Sequence, residues 1–187
     1  MSATVKTSVV SGDVDFKSKA EVRAHVRAQW PSALPLAALY KNLSQVLDHQ
    51  KGSWAAFKAL SDEPPLEGVL SPHLTWVFPR LHENELEFLK PQSWVKSRYG
   101  FMEPQEGEKI PKEQIQGFLV PGVAFSRSGQ RIGRGQGYYD RALAGTKSLK
   151  VGVCYSFQVF SQLPVESHDI NMDVVVTDRE ILWLTRS

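Results

Sequence analysis

The chain has 187 residues, of which 42% are hydrophobic and 22% are charged, proportions typical of a globular protein with one core. Its formal charge of +2 and its single cysteine argue against a strongly basic nucleic-acid binder and against a fold held by disulfides. No segment approaches the roughly 20 apolar residues of a membrane-spanning helix, and the first residues lack a secretory apolar core. We therefore expect a soluble cytoplasmic protein with no membrane partner.

The first predicted helix runs from Ser18 to Gln29 and presents a basic face. The pattern Ser18-x-x-Glu21 forms a capping box, which favours a helix start at this point. Basic residues recur at every fourth position along it, at Lys19, Arg23 and Arg27. From composition alone, a solvated surface is the simpler interpretation of these charges. Residues 1–15, which precede the helix, are predicted to form a loose arm.

Further helical segments are predicted before the first strand. A second helix is expected from Leu36 to Gln50, where apolar residues form a stripe. The stripe consists of Leu39, Leu43, Val46 and Leu47. Residues 53–60 are predicted to form a short helix that ends before the Pro64–Pro65 pair, because proline disfavours helix continuation.

Short runs rich in β-branched and aromatic residues dominate the rest of the chain and predict strands. They cover residues 74–78, 85–89, 118–120, 151–155 and 174–177. Several are apolar at consecutive positions, as in strands covered on both faces, and helical segments such as 138–144 separate them. This order predicts an α/β layered sheet in a single domain over residues 16–187. Cys154, inside one of the runs, is expected to be buried rather than reactive.

The segment from Leu119 to Leu143 reads as a strand, a turn, a glycine-rich loop and a helix. Glycines alternate with large residues over 133–137, which lets the backbone approach an anion and adopt positive φ. The third glycine of a dinucleotide fingerprint would fall at Tyr138, and no Gly-Lys-Ser/Thr of a Walker A loop follows. The loop therefore matches neither of these two nucleotide motifs.

Three arginines lie close together in the same stretch, at Arg131, Arg134 and Arg141. Guanidinium groups suit phosphate oxygens, and such clustered charges repel one another unless an anion is present. We therefore predict a phosphate site. The alternative is a glycine-rich hairpin whose arginines are solvated.

Two acidic residues are candidates for holding a cation beside this loop. Asp140 adjoins the loop and opens the following helix, where its alternative role is to compensate the helix N-terminus or to pair with Arg141. Asp173 precedes the last predicted strand, and strand ends are where α/β sheets place ligands. Mg²⁺ usually takes one or two carboxylates together with substrate phosphates.

Two motifs occur in succession here, Val-Pro-Gly-Val-Ala-Phe at 120–125 and Arg-x-Gly-Arg-Gly-x-Gly-Tyr-Tyr-Asp-Arg at 131–141. Together they resemble the signature of the 5-formyltetrahydrofolate cyclo-ligase family. Lys-Ala-Glu-Val-Arg at 19–23 resembles the N-terminal helix of that family. Leu-Pro-Val-Glu-x-x-Asp-Ile-x-x-Asp over 163–173 resembles its C-terminal end, and Glu103-Pro104 also has a counterpart.

The resemblance implies a three-layer α/β sandwich with a mostly parallel, Rossmann-like central sheet and an N-terminal helical region. It implies an ATP- and Mg²⁺-dependent enzyme that converts 5-formyltetrahydrofolate to 5,10-methenyltetrahydrofolate with release of ADP and phosphate. In that family ATP phosphorylates the N5-formyl oxygen, the N10 amine attacks the activated carbon, and phosphate leaves as the ring closes. The expected partner is this small-molecule substrate, without nucleic acid, and the expected state is a monomer.

The resemblance also assigns roles to individual residues. The implied ATP contacts are Lys19, Arg23, Arg131, Ile132, Gly133, Arg134, Gly135, Gln136, Gly137, Tyr138 and Tyr139. The implied folate contacts are Phe57, Glu63, Arg134, Gly135, Gln136, Gly137 and Tyr138, of which Arg134 and Tyr138 are the expected catalytic residues. The implied Mg²⁺ ligands are Asp140 and Asp173. Aromatic walls for the folate are expected from Trp94, Tyr99, Phe101, Tyr138 and Tyr139.

Three positions depart from the family pattern. Gln136 stands where the family often has Lys or Gly, Ser126 stands where it often has Asp, and the segment after Glu63 differs. Two alternative interpretations remain open. One is a non-catalytic relative that binds folate or RNA, although the nearly neutral charge argues against RNA. The other is a different ATP-dependent kinase or ligase built on the same loop.

Overall fold

The computed structural model describes residues 14–184, and three helices and eleven strands lie within this range. In chain order they are α1 (Lys19–Ala28), α2 (Leu36–Leu47), β1 (Ser53–Ala55), β2 (Thr75–His82), β3 (Glu85–Lys96), β4 (Met102–Lys109), β5 (Ile115–Pro121), β6 (Ala124–Ser126), β7 (Arg131–Ile132), α3 (Tyr138–Leu143), β8 (Leu149–Val153), β9 (Val159–Phe160), β10 (Val174–Val176) and β11 (Ile181–Trp183). Short 3-10 turns precede β5 and β9. The predicted arm over residues 1–15 lies almost wholly outside the described residues.

Eight strands form the central sheet in the order β11-β10-β8-β5-β1-β2-β3-β4. The five inner strands from β10 to β2 pair in parallel. β11 at one edge, and β3 and β4 at the other, pair antiparallel. A second sheet of three short strands has the order β7-β6-β9. The prediction of a mostly parallel α/β sheet is therefore confirmed.

Alternate side chains of each strand point to opposite sides of the central sheet, and each face is covered by its own apolar cluster. Leu119 of β5 packs in the cluster that contains the apolar stripe of α2. Its neighbours Phe118 and Val120 pack on the other side with Leu143 of α3. The first helix, α1, buries its apolar residues against the small sheet. These contacts make the three layers that the resemblance implied.

The predicted helix over residues 53–60 is wrong, because its first part is the central strand β1. Trp54 is completely buried, and β1 pairs with β2 on one side and with β5 on the other. Pairing along both edges outweighs local helix propensity. Gly117 of β5 gives the Trp54 ring its space, since a Cβ there would lie 2.4 Å from a ring carbon.

The antiparallel end of the sheet is longer than predicted. The strand expected at 85–89 extends to Lys96, and β4 was not predicted because its sequence is Met-Glu-Pro-Gln-Glu-Gly-Glu-Lys. β4 is an edge strand, so its polar side chains remain solvated while its backbone pairs with β3.

Among residues 14–184, no helix has the length and apolarity needed to cross a bilayer. Cys154 is buried as expected, and burial raises the pKa of its thiol well above the usual range.

Candidate functional site

A cavity of about 540 Å³ opens where the parallel strands end. It lies beyond the carboxyl ends of β1 and β5, where Phe57 follows β1 and Pro121 ends β5, and beside Pro79 in the second half of β2. The chain proceeds from β1 to β2 on one side and later returns to β5 on the other. The cavity therefore lies at the point where the strand order reverses, which is the usual ligand position in open α/β sheets.

Nearly all of the predicted site residues line this one cavity. They are Lys19, Arg23, Phe57, Glu63, the nine residues from Arg131 to Tyr139, and Asp140. Lys19 precedes Arg131 by 112 residues and Phe57 precedes it by 74, so only the fold could bring them to the loop. Asp173 is not among the lining residues.

The glycine-rich loop between β7 and α3 adopts backbone conformations that favour glycine. Gly135 has φ of +104° and Gly137 has φ of +66°, in the left-handed region where a Cβ would be strained. Gly137 is also the N-cap of α3. Two of the three alternating glycines thus have the positive φ predicted for them, and the loop faces the cavity along its whole length.

The arginines of the loop do not rely on a bound anion for charge compensation. Arg131 is nearly buried and pairs with Asp140, with an Nη2–Oδ2 distance of 3.0 Å. Arg134 is bonded to Glu63 at 3.2 Å and also to Asp62. For Arg131 and Arg134, the expectation that the clustered arginines need an external anion was therefore wrong, because carboxylates of the protein offset their charges.

The basic face of α1 reaches the cavity through two of its three cations. Arg23 donates from Nε to the carbonyl oxygen of Gly133 at 2.8 Å. Lys19 pairs with Asp169 and Glu166, each at 2.7 Å. Burial lowers the pKa of the Lys19 ammonium, but these carboxylates outweigh that effect and the net shift is upward. Arg27 is exposed and does not line the cavity, so the solvated interpretation holds for it alone.

The opposite side of the cavity is an apolar wall built by the antiparallel strands and the turn between β3 and β4. Its members are Pro79, Leu81, Leu86, Tyr99, Phe101 and Met102. Tyr99 and Phe101, two of the expected aromatic walls, thus line the cavity, whereas Trp94 packs against Phe78 instead. The proline, the two leucines and the methionine were missed, because nothing in their sequence separates them from ordinary core residues.

Two tyrosines connect the wall to the loop. The hydroxyl oxygens of Tyr99 and Tyr138 lie 3.1 Å apart. This hydrogen bond lowers the pKa of Tyr99 and raises that of Tyr138. Tyr139, the next residue, has the Arg131 guanidinium 5.7 Å from its ring centre, and burial raises its pKa far above the usual range.

The two predicted Mg²⁺ ligands occupy different places. Asp140 lines the cavity and also accepts a hydrogen bond from the backbone N–H of Ile170. Asp173 lies at the amino end of β10, where its carboxylate accepts from the backbone N–H of Lys150 at 2.8 Å and pairs with the Lys150 ammonium at 3.0 Å. The structure thus brings Asp140 to the cavity but does not bring Asp173 to it. The strand-end argument failed for Asp173 because the cavity lies at the carboxyl ends.

Another group of residues with metal-ligating side chains lies at the cavity edge. Glu166, His168 and Asp169 place one ligand atom each within 4.8 Å of one another. Sequence reasoning gave these residues no role, although the 163–173 motif contains them. Because the Lys19 ammonium already pairs with both carboxylates, this group anchors α1 and carries no assignment as a metal site.

A sequence profile of the 5-formyltetrahydrofolate cyclo-ligase family matches residues 66–178. The matched segment is more than half of the chain. It contains the apolar wall, the glycine-rich loop and the C-terminal motif over 163–173.

Individual relatives agree with the profile. A 5-formyltetrahydrofolate cyclo-ligase of Escherichia coli K12 is 32% identical over 148 residues, which cover 73% of this chain and 81% of that protein. One from Saccharomyces cerevisiae is 38% identical over 122 residues, which cover 60% of this chain and 54% of the yeast protein. The NMR structure of 5,10-methenyltetrahydrofolate synthetase from Aquifex aeolicus matches with a TM-score of 0.77 and 32% identity, covering 90% of this chain and 94% of that one.

Proposed function

The chain belongs to the 5-formyltetrahydrofolate cyclo-ligase family of enzymes, and from that premise we propose that it converts 5-formyltetrahydrofolate to 5,10-methenyltetrahydrofolate with ATP and Mg²⁺, releasing ADP and phosphate. One observation carries the proposal. A single cavity combines a cationic glycine loop with an apolar wall of aromatic and aliphatic side chains. That combination suits a reaction in which a phosphoryl group is transferred to a flat heterocyclic substrate. We further propose that the enzyme acts as a cytoplasmic monomer.

The loop side of the cavity suits the phosphates of ATP. Lys19, Arg23 and Arg131 supply cations to its lining, and guanidinium groups match phosphate oxygens. Within residues 14–184, the Nε of Arg131 is a buried donor without a hydrogen-bond partner, which leaves one N–H available for an anion. Residues Gly133–Gly137 line the same cavity, so their backbone N–H groups can add donors to the phosphate oxygens.

Asp140 is the carboxylate best placed to hold Mg²⁺ against those phosphates. It lines the cavity beside Arg131, and a hard cation with oxygen ligands suits a carboxylate and phosphate oxygens. The ion would neutralise charge on the transferring group. Asp173 has no part in this proposal, because it pairs with Lys150 at the amino end of β10 and does not line the cavity.

The folate is proposed to lie between the loop and the apolar wall. Phe57, Tyr99 and Phe101 offer apolar and aromatic surfaces there, which suit a flat ring system. Glu63 places a carboxylate in the same space, and carboxylates accept hydrogen bonds from ring and amine N–H groups. Gln136 adds an uncharged polar group to this side of the loop.

Two residues are proposed to act directly on the reacting groups. Arg134 would exchange its bonds with Asp62 and Glu63 for the transferring phosphoryl group, whose charge a fixed cation stabilises. The hydrogen bond with Tyr99 raises the pKa of Tyr138, so the Tyr138 hydroxyl stays protonated at neutral pH. It can therefore donate a hydrogen bond to an oxygen of the activated formyl group.

Incubation of the purified protein with ATP, Mg²⁺ and 5-formyltetrahydrofolate tests this function. We expect the absorbance of the methenyl product to rise with equimolar ADP, and no product to form when any one component is omitted. A folded protein that forms no methenyl product would refute the assignment. If ADP appeared without methenyl product, the protein would instead be a different ATP-dependent enzyme.

A further inference from the structure

Arg141 lies outside the cavity and contacts both of its sides. It is not among the lining residues, although it belongs to the same motif as Arg131 and Arg134. One of its terminal nitrogens donates to the carbonyl oxygen of Gln136 at 3.0 Å, and the other donates to the carbonyl oxygen of Asn84 at 3.0 Å. We propose that Arg141 is a positioning residue that holds the glycine-rich loop and the apolar wall at a fixed separation. The proposal rests on the function proposed above.

On the loop side, the bond from Arg141 fixes the orientation of one peptide unit. A trans peptide directs its C=O and its N–H to opposite sides, and no cis peptide occurs in the described residues. When the carbonyl of Gln136 points to Arg141, the N–H of Gly137 points away from it. Gly137 lines the cavity, so this orientation makes its N–H available to an anion.

The loop needs such an external contact because glycine peptides reorient easily. Gly135 and Gly137 both have positive φ. At the start of the loop, Arg23 holds the carbonyl of Gly133 in the same manner. Arg141 therefore completes a pair of guanidinium contacts, one at each end of the glycine-rich segment.

On the wall side, the bond from Arg141 reaches the turn between β2 and β3. Asn84 lies in that turn, three residues after Leu81 and two before Leu86, and both leucines line the cavity. Fixing the carbonyl of Asn84 therefore fixes the end of the hairpin from which these side chains project. The rigid fork of a guanidinium sets the spacing of two acceptors, which an ammonium on a flexible stem does not do.

Two further observations distinguish Arg141 from an ordinary surface arginine. No carboxylate within the described part of the chain pairs with it, so its hydrogen bonds go to backbone carbonyls. Its guanidinium also lies 5.2 Å from the ring centre of Tyr138, whose hydroxyl oxygen lies 3.1 Å from that of Tyr99 in the apolar wall. One side chain thus supports the loop, the hairpin turn and the connecting tyrosine.

Binding measurements on Arg141→Met and Arg141→Lys test the proposal, with Arg127→Met as the matched control. Arg127 is a surface arginine that pairs with Glu180 and does not line the cavity. For Arg141→Met we expect the Kd of a non-hydrolysable ATP analogue and the Kd of 5-formyltetrahydrofolate each to rise about tenfold, equivalent to roughly 1.4 kcal/mol. Arg141→Lys should show a smaller rise in both, and Arg127→Met should show none.

Steady-state kinetics separate positioning from a direct chemical role. We expect both KM values of Arg141→Met to rise while kcat changes less than either. Unchanged Kd and KM values in both Arg141 variants would overturn the proposal, as would a fall in kcat alone. Arg141→Lys keeps the charge and the stem, so it provides the test if Arg141→Met fails to fold. If the wild type binds both ligands without forming methenyl product, the proposed function fails while the binding comparison still decides the role of Arg141.

Discussion

The loop side and the wall side of the cavity are built from different kinds of sequence. The loop side comes largely from ten consecutive residues, Arg131–Asp140, which combine glycines with charged groups. The wall side is assembled from β2, β3, the turn after β3 and the first residue of β4, where each contributing residue is apolar or aromatic. Charge and backbone N–H groups on the first side suit phosphates, and apolar area on the second suits a ring system. Substitutions on the two sides should therefore change different kinetic parameters.

The strongest test of the loop side is Arg134→Ala. We expect kcat/KM to fall at least about tenfold, because a charge-assisted hydrogen bond is worth roughly 1.5–3 kcal/mol. Single-turnover kinetics with ATP and 5-formyltetrahydrofolate measure the effect. Arg127→Ala, which removes a surface arginine paired with Glu180, should leave the rate unchanged. Wild-type kinetics in Arg134→Ala would remove this residue from the reaction.

Asp140→Asn tests the proposed position of Mg²⁺ on the same side. The Mg²⁺ concentration for half-maximal rate should rise by about tenfold, since an amide is a weaker ligand than a carboxylate. The free energy of unfolding should also fall by roughly 1–3 kcal/mol, because the nearly buried Arg131 loses its charged partner. Glu180→Gln, at the surface pair, is the control for both measurements. An unchanged Mg²⁺ dependence would contradict the assignment.

On the wall side, Phe101→Ala should affect folate rather than ATP. An aromatic contact contributes about 0.5–1.5 kcal/mol beyond its buried area, so we expect the KM for 5-formyltetrahydrofolate to rise two- to tenfold by that principle. The KM for ATP should change little. Trp183→Ala, which removes an exposed aromatic ring of β11, is the matched control. Equal rises in both KM values would show that the two sides are not separate binding surfaces.

The smallest expected effect concerns the pair between Asp169 and Lys19 at the cavity edge. Burial raises the pKa of Asp169, but its hydrogen bonds and the charge of Lys19 outweigh this effect. The pKa of Asp169 in the folded protein is therefore lower than the usual value of 3.8. The pair therefore stabilises the protein fully above the unfolded-state pKa, and this contribution is lost as the pH falls through the lower folded-state value. Urea unfolding should find Asp169→Asn less stable by about 1 kcal/mol or less at pH 7. The difference between the two proteins should shrink towards pH 3, and a constant difference would refute the explanation.

What could be predicted from the sequence follows the same division between the two sides. The residues from Arg131 to Asp140 are contiguous, so the sequence alone predicts that they share one site. Leu81 and Leu86 carry no such signal, since an apolar residue in a strand is as consistent with the core as with a cavity. β4 was missed because its polar residues suit solvent, and its strand structure depends on pairing with β3.

Three failures have a common cause in long-range structure that no local sequence pattern shows. Residues 53–60 were predicted helical because the pairing of β1 with β2 and β5 cannot be seen locally. Asp173 was placed at a ligand-binding strand end, but the direction of β10 puts it at the amino end. The carboxylate partners of Arg134 were missed for the same reason, since Asp62 precedes it by 72 residues.

The three-residue strand β1 also constrains how the protein folds during synthesis. β2, β3 and β4 follow one another and can pair soon after they leave the ribosome, but β5 begins about sixty residues after β1. Until then one edge of Ser53–Ala55 has no partner, and the surface of Trp54 is not yet covered by Gly117. Non-local pairing of this kind slows folding and exposes apolar surface meanwhile. A nascent chain stalled before residue 115 should therefore need chaperone protection that the complete chain does not.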